Sequence, residues 1–234
     1  MTHPTRIALL DLDGTLTESH TGIQESAKIA YRHFNKMFPA QTEFDTFIGP
    51  PLYDSFISHG FSTPEEANEA VNIYRKAYTT PTFENPNKGG ELLPGMFLNN
   101  MYEGILSALD DMKKEGYILA LATCKPEPQA KRINDYFGFS KIIDYVFGAS
   151  LDNSRIHKDQ IISYALKNLD FDSSQDKAVM VGDRGTDVTA AHKCKIPCIG
   201  VKWGYAQPSE LEDVESEMII DSVSQLPEAV KKFL

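Results

Sequence analysis

The sequence predicts an α/β fold: a parallel β-sheet covered by helices, interrupted by an inserted helical domain. Three observations predict it. The apolar run Ile7-Ala-Leu-Leu10 ends abruptly in Asp11-Leu-Asp13-Gly14-Thr15, as a buried strand ends in a polar turn. From about residue 102, short apolar runs alternate with segments of helical period, the pattern of a parallel sheet built from strand–helix–strand units. Between these two regions lies a long, mostly helical stretch. The expected division is a sheet-bearing core at 1–16 and 102–234 and an inserted helical domain at 17–101.

Taken in order, the first strand spans 6–10. In the insertion, Thr21-x-x-Gln24 has the form of a capping box, and Ile23, Ala27, Ala30, Phe34 and Phe38 follow at helical spacing. A short helix is expected near 52–59. Thr63-Pro64-Glu65-Glu66 is a second box with Pro at the first helical position. It opens a helix carrying Ala67, Ala70, Val71, Tyr74 and Tyr78 on one face. Such stripes mark packing, here the core of a small helical bundle. Asn85-Pro-Asn-Lys-Gly-Gly90 is rich in turn residues and reads as a loop. Beyond it, helices are expected at 103–115, 127–137, 158–168, 185–194, 208–214 and 225–233. Strands at 117–122, 144–148, 178–182, 197–201 and 217–220 alternate with them. Gly116 stands just past a helix end, where glycine ends helices. Hinges between the two domains are expected at Leu16–Thr21 and near 95–102.

The chain has 234 residues, of which 41% are hydrophobic and 24% charged, with a formal net charge of −10. That supports a sizeable core. The negative balance argues against nucleic acid or an anionic membrane as the main partner. No run approaches the ~18–20 apolar residues of a membrane span, and the first residues carry no signal-peptide h-region. Cys124, Cys194 and Cys198 are odd in number and lack a zinc spacing. They read as buried thiols in a reducing cytoplasm.

Asp11 and Asp13 stand one residue apart on the same side of an extended backbone. At the end of a parallel strand they project into the crevice where α/β sheets bind ligands. Gly14 permits a sharp turn and a close backbone approach to an anion. One carboxylate can attack an electrophile while the other moves a proton, a division suited to covalent catalysis at phosphorus.

Asp11-Leu-Asp13-Gly14-Thr15 resembles the first motif of the haloacid dehalogenase (HAD) superfamily. Three further motifs stand in the family's order. Thr123 closes the run Ile118-Leu-Ala-Leu-Ala122, Lys158 lies in Ile156-His-Lys158-Asp159, and Gly182-Asp183-Arg184-Gly-Thr-Asp187 follows Ala178-Val-Met-Val181. The resemblance implies a Rossmann-like core, with the insertion as the helical cap of subclass I. It also implies that Asp11 is the nucleophile and Asp13 the general acid/base, and that Thr123 and Lys158 hold the phosphoryl group. Asp11, the backbone carbonyl of Asp13, and Asp183 would bind metal, with Asp187 acting directly or through water. Four carboxylates at one sheet end repel one another, and a divalent cation removes the conflict. Oxygen-only ligands and a phosphate substrate favour Mg²⁺.

A negatively charged protein needs local cations to attract an anionic substrate, and Lys125, Lys158 and Arg184 are the candidates. Gly14, Thr123 and Cys124 complete the expected substrate contacts. Several of these residues also have plainer roles. Thr123 followed by Pro126 suits a helix N-cap. A lysine at a helix start is commonly solvated, and Lys167 or Lys177 compete with Lys158. The family often has Lys-Pro where this chain has Lys158-Asp159. Arg184 either contacts substrate or forms a surface salt bridge. His157 and His192 read as helix-surface residues. Trp203 and Tyr205 resemble a loop of phosphoglycolate-phosphatase-like members and would pack the edge of the site.

The expected activity is Mg²⁺-dependent hydrolysis of a small phosphomonoester through an aspartyl phosphate. Asp13 separates this from dehalogenation, where halide leaves without a proton. A sugar-phosphate mutase and a non-catalytic binding module are the rivals. Ile48-Gly49-Pro-Pro-Leu52 resembles a cap loop of phosphoglycolate-phosphatase-like proteins, a group that also includes 5′-nucleotidases. Phosphoglycolate is therefore the first expected substrate and a nucleoside monophosphate the second. Phe47, Tyr53 and Phe56 are either a platform for a base or cap core. The sequence sets no oligomeric state.

Overall fold

Four consecutive buried apolar residues, Ile7, Ala8, Leu9 and Leu10, make β1 (Arg6–Leu10) an interior strand, because a strand shielded on both faces is apolar at every position. The computed structural model describes residues 4–234, so the first three residues of the expected core lie outside the described residues. By internal contacts the chain divides into two units. Met1–Thr17 joins Met101–Leu234 in one, and Glu18–Asn100 forms the other.

After β1 the chain runs through β2 (Thr17–Glu18), α1 (His20–His33), α2 (Gln41–Phe44), α3 (Leu52–Ser58) and α4 (Pro64–Thr79). Then come β3 (Phe83–Glu84), β4 (Leu92–Leu93) and β5 (Asn100–Met101). The larger unit resumes with α5 (Ile105–Lys114), β6 (Ile118–Pro126), α6 (Glu127–Tyr136), β7 (Tyr145–Ala149) and α7 (Lys158–Asn168). It ends with β8 (Lys177–Gly182), α8 (Gly185–Lys193), β9 (Cys198–Val201), α9 (Glu210–Asp213), β10 (Met218–Ile220) and α10 (Leu226–Lys231).

In the larger unit six strands form one parallel sheet in the order β10-β9-β8-β1-β6-β7. This is the expected parallel α/β core. Leu9 pairs with Ala120 on one side and Met180 on the other. The chain runs outward from β1 through β6 to β7, then crosses back to place β8 on the other side of β1. That reversal creates a topological switch point beside β1, and ligands of open α/β sheets bind at the carboxyl ends of strands there. Ile7, Leu9, Met180, Ile161, Ile162 and Val188 belong to the core on one face. α5 ends as expected, with Gly116 at φ +80° just past its last turn. β6 runs four residues beyond the expected strand, through Thr123 to Pro126.

The smaller unit is helical around an aromatic core. Phe44 stacks on Phe47 with ring centroids 4.9 Å apart, and Tyr74 stacks on Tyr78 at 5.2 Å. Phe47 and Phe56 are buried there, so both serve as core of this unit rather than as an open platform. Ala67, Ala70, Val71, Tyr74 and Tyr78 are all buried, as their spacing requires. Thr63 caps α4 by accepting the Glu66 N–H at 3.2 Å.

Three details depart from expectation. The Thr21 capping box does not form, because α1 starts earlier, at His20, whose N–H donates to Glu18 Oε1 at 3.2 Å. Phe38 is not on α1. The helix ends at His33, and Asn35 follows in the left-handed region at φ 52°, a common way to leave a helix. The loop at 85–90 lies between two short antiparallel strands, β3 and β4, too short to register as a sequence pattern.

Candidate active site

Every expected site residue lies in the larger unit. Asp11 follows β1 directly, and its N–H donates to Val181 O at 2.9 Å, carrying the ladder with β8 one step past the strand. The Leu12 carbonyl then accepts from the N–H groups of Leu16 and Thr17, each at 2.9 Å. Gly14 N–H donates to Thr17 O at 2.8 Å, closing the turn. Gly14 has φ +84°, and a Cβ there would lie 2.1 Å from Asp183 Oδ2. Both the dihedral and the contact exclude a side chain. Gly14→Ala is therefore expected to displace Asp183 or open the turn, cutting phosphatase turnover by at least ~10²-fold, the cost of about 1 Å of misplacement. Steady-state kinetics check this, and near-normal turnover would contradict the geometry.

Asp183 follows β8 and is fully buried. Thr15 Oγ1 donates to its Oδ1 at 3.2 Å, and Tyr205 N–H donates to its Oδ2 at 2.7 Å. Trp203 Nε1 donates to Thr15 O at 3.1 Å. Gly204, between them, brings the backbone so close that a Cβ would lie 2.3 Å from Asp183 Cβ. The Trp203–Tyr205 loop thus builds the site wall, as expected. Asp187, in the first turn of α8, accepts the Arg184 N–H on Oδ2 at 3.1 Å. One oxygen from each of Asp11, Asp183 and Asp187 lies within 4.8 Å of the others.

Lys158 begins α7 and is buried, whereas Lys167 and Lys177 are exposed. Its ammonium lies 2.8 Å from Asp11 Oδ1 and 2.7 Å from Asp187 Oδ1, and donates to Ala122 O at 3.1 Å. Those three partners match the three N–H donors of a lysine. Lys125 Nζ stands 2.9 Å from Asp13 Oδ2. Asp13 Oδ1 is buried without a hydrogen-bond partner, so one oxygen of this carboxylate is unused within the protein.

The charges strain one another. Burial, then Asp187 and Asp11, raise the Asp183 carboxyl well above the usual carboxylate range. Burial also lifts Asp187 to about 6, against the pull of Lys158. Burial alone would depress Lys158, but Asp11 and Asp187 hold it well above its ordinary value. One ammonium cannot balance three clustered carboxylates. Their all-oxygen, buried donor set suits a hard divalent cation.

Thr123 is buried in β6, and its Oγ1 accepts the Lys125 N–H at 3.3 Å. The α6 N-cap is Pro126, so Thr123 is free of the capping role. Cys124 is half-buried, and burial pushes its thiol up to about 12. It is therefore no thiolate nucleophile at neutral pH. Arg184 pairs through Nε with Glu210 Oε1 at 2.9 Å, and the pair is part-buried rather than on the surface. His192 forms a half-exposed pair with Glu217 at 3.0 Å. Sequence reasoning gave no role to Thr15, Gly204 or Glu210. Thr15 had a signal in its place after Asp-Gly; the other two make contacts that no local pattern announces.

The residues 8–201 match the family model described as haloacid dehalogenase-like hydrolase. Over 204 residues the chain is 32% identical to a 5′-nucleotidase of Pseudomonas aeruginosa, covering 87% of this chain and 85% of that one. It is 31% identical to the tyrosine-protein kinase PtkA of Mycobacterium tuberculosis over 227 residues, covering 96% and 72% respectively. A crystal structure of a predicted phosphatase from Clostridium acetobutylicum superposes with a TM-score of 0.86 at 33% identity, covering 98% of this chain and all of that one. The family model, the fold and the site show that the chain belongs to the haloacid dehalogenase-like hydrolases, and with its phosphatase-named relatives they make it a phosphatase.

Proposed function

We propose that the protein is a Mg²⁺-dependent phosphatase that hydrolyses a small phosphomonoester through an aspartyl phosphate on Asp11. The observation that carries this is the convergence of Asp11, Asp183 and Asp187 within 4.8 Å, with Lys158 bridging Asp11 and Asp187. Asp11 attacks phosphorus in line. Asp13, whose Oδ1 has no partner within the protein, protonates the leaving oxygen and then deprotonates the water that hydrolyses the intermediate. Lys158 orients Asp11 and pairs with the phosphoryl oxygens, and Thr123 donates its hydroxyl to them. Asp11, Asp183 and the Asp13 carbonyl would hold the divalent cation, with Asp187 acting directly or through water; the cation would screen nucleophile from phosphate and stabilise the transferring group's charge.

The inserted helical unit sets substrate choice. Phosphoglycolate and a nucleoside 5′-monophosphate are the two substrates in view. The Ile48–Leu52 segment supports the first, and the likeness to a 5′-nucleotidase supports the second. Three free thiols suit a cytoplasmic protein, and no helix of the described residues is long and apolar enough to cross a membrane.

Phosphate release from a panel of phosphomonoesters, with Mg²⁺ and with EDTA, tests this directly. The panel holds phosphoglycolate, nucleoside monophosphates, sugar phosphates and an aryl phosphate, with ATP and a tyrosine acceptor alongside. Mg²⁺-dependent release with one favourite is expected. Transfer from ATP to tyrosine with no ester hydrolysis would overturn the proposal. Asp183→Asn is expected to raise the Mg²⁺ concentration for half-maximal rate at least ~10-fold. An unchanged requirement would remove Asp183 from the ligand set.

A further inference from the structure

Glu210 lies outside every motif named above, yet its carboxylate binds the two backbone segments next to those that hold Asp183 and Asp187. Its Oε1 accepts the Gly185 N–H at 2.7 Å and Arg184 Nε at 2.9 Å. Its Oε2 accepts the Gln207 N–H at 2.8 Å. The first pair of contacts grips the turn that opens α8, where Arg184 N–H orients Asp187. The third grips the loop after β9, where Tyr205 N–H orients Asp183 and Gly204 packs on it. One carboxylate therefore staples together the two segments that aim Asp183 and Asp187.

We propose that Glu210 is a positioning residue for the metal-binding carboxylates, acting through the α8 turn and the Trp203–Tyr205 loop. The inference rests on the metal-dependent function proposed above. The physical reason is that the ligand oxygens are buried and held by backbone donors, so their direction follows the backbone. Without Glu210, two N–H groups and a guanidinium lose a common charged acceptor, a strong class of contact. The loop and the turn then relax independently. Partners of this kind, one contact removed from the ligands, typically shift metal affinity ~10–100-fold. Arg184 becomes part of the same device, held at this staple by its ion pair.

The test is a Mg²⁺ titration of wild-type, Glu210→Ala, Glu210→Gln and Glu212→Ala protein. It is read by calorimetry, by the Mg²⁺-induced shift in Tm, and by the Mg²⁺ dependence of phosphate release. Glu212 is the control, since its pair with Lys202 at 2.7 Å is exposed. Glu210→Ala is expected to weaken Mg²⁺ binding at least ~10-fold while kcat at saturating Mg²⁺ stays within a few-fold of wild type. Glu210→Gln keeps one carbonyl oxygen and should fall between; it also carries the test if the alanine variant fails to fold. Glu212→Ala should match wild type. A lowered Tm with unchanged Mg²⁺ affinity would show a merely structural role and overturn the inference. If wild-type protein itself shows no Mg²⁺ binding, the metal-dependent function fails first and the inference with it.

Discussion

Asp11→Asn is expected to lose at least ~10³-fold in kcat with its fold intact, since removing a covalent nucleophile forfeits the whole two-step route. The amide is nearly isosteric with the carboxylate, and the backbone bond from Asp11 to Val181 is untouched. The side chain loses its ion pair with Lys158, which retains Asp187 and the Ala122 carbonyl. Circular dichroism and thermal unfolding should therefore show a native protein. Removing one of the clustered carboxylates also relieves repulsion, so the metal-free variant should unfold no earlier than wild type. Substantial residual turnover in clean mutant protein would sink Asp11 as the nucleophile.

Lys158→Met removes the ammonium from among three buried carboxylates. Losing one partner of a buried ion pair typically costs about 3–5 kcal/mol, because the remaining charge stays buried and unpaired. Here Asp11 and Asp187 lose their shared cation at once, and the Ala122 carbonyl loses a donor. Metal-free variant protein should unfold at clearly lower temperature than wild type. Mg²⁺ should then raise its Tm by more than it raises wild type, because the cation relieves a larger repulsion. Turnover should fall ~10²–10³-fold, as when one preorganised donor to the reacting group is removed. A variant with wild-type stability and an equal Mg²⁺ response would mean that Lys158 is not the counter-charge of the cluster.

The sheet was legible because each strand is a short apolar run that stops at a turn or an acid. Ile7–Leu10 before Asp11 and Ala178–Val181 before Gly182-Asp183 are neighbouring strands whose ends carry the reactive groups. Lys158 needed the tertiary structure. Three lysines were compatible with the sequence, and only the fold buries Lys158 while leaving Lys167 and Lys177 exposed. The helix from His20 was misjudged at both ends, because Glu18 and Asn35 set its limits through one hydrogen bond and one left-handed residue. Glu210 was invisible for a different reason. It sits among other acids at 212, 213, 215 and 217, and only the packing of this segment on the start of α8 gives it the Arg184 and Gly185 donors. Local periodicity predicts elements, whereas contacts between the ends of separate elements depend on the register of the sheet.

The central claim is that phosphate leaves in two displacements, first to Asp11 and then to water. The stereochemical course at phosphorus tests it most directly, because it does not require the intermediate to accumulate. A phosphorothioate monoester that the wild-type enzyme hydrolyses would be made chiral with one heavy-oxygen isotope and hydrolysed in water carrying the other, and the configuration of the released inorganic thiophosphate read. Each in-line displacement inverts phosphorus, so two of them return the original configuration. Retention is the predicted result. Inversion would mean that water attacks the ester directly, and that Asp11 is not a covalent nucleophile.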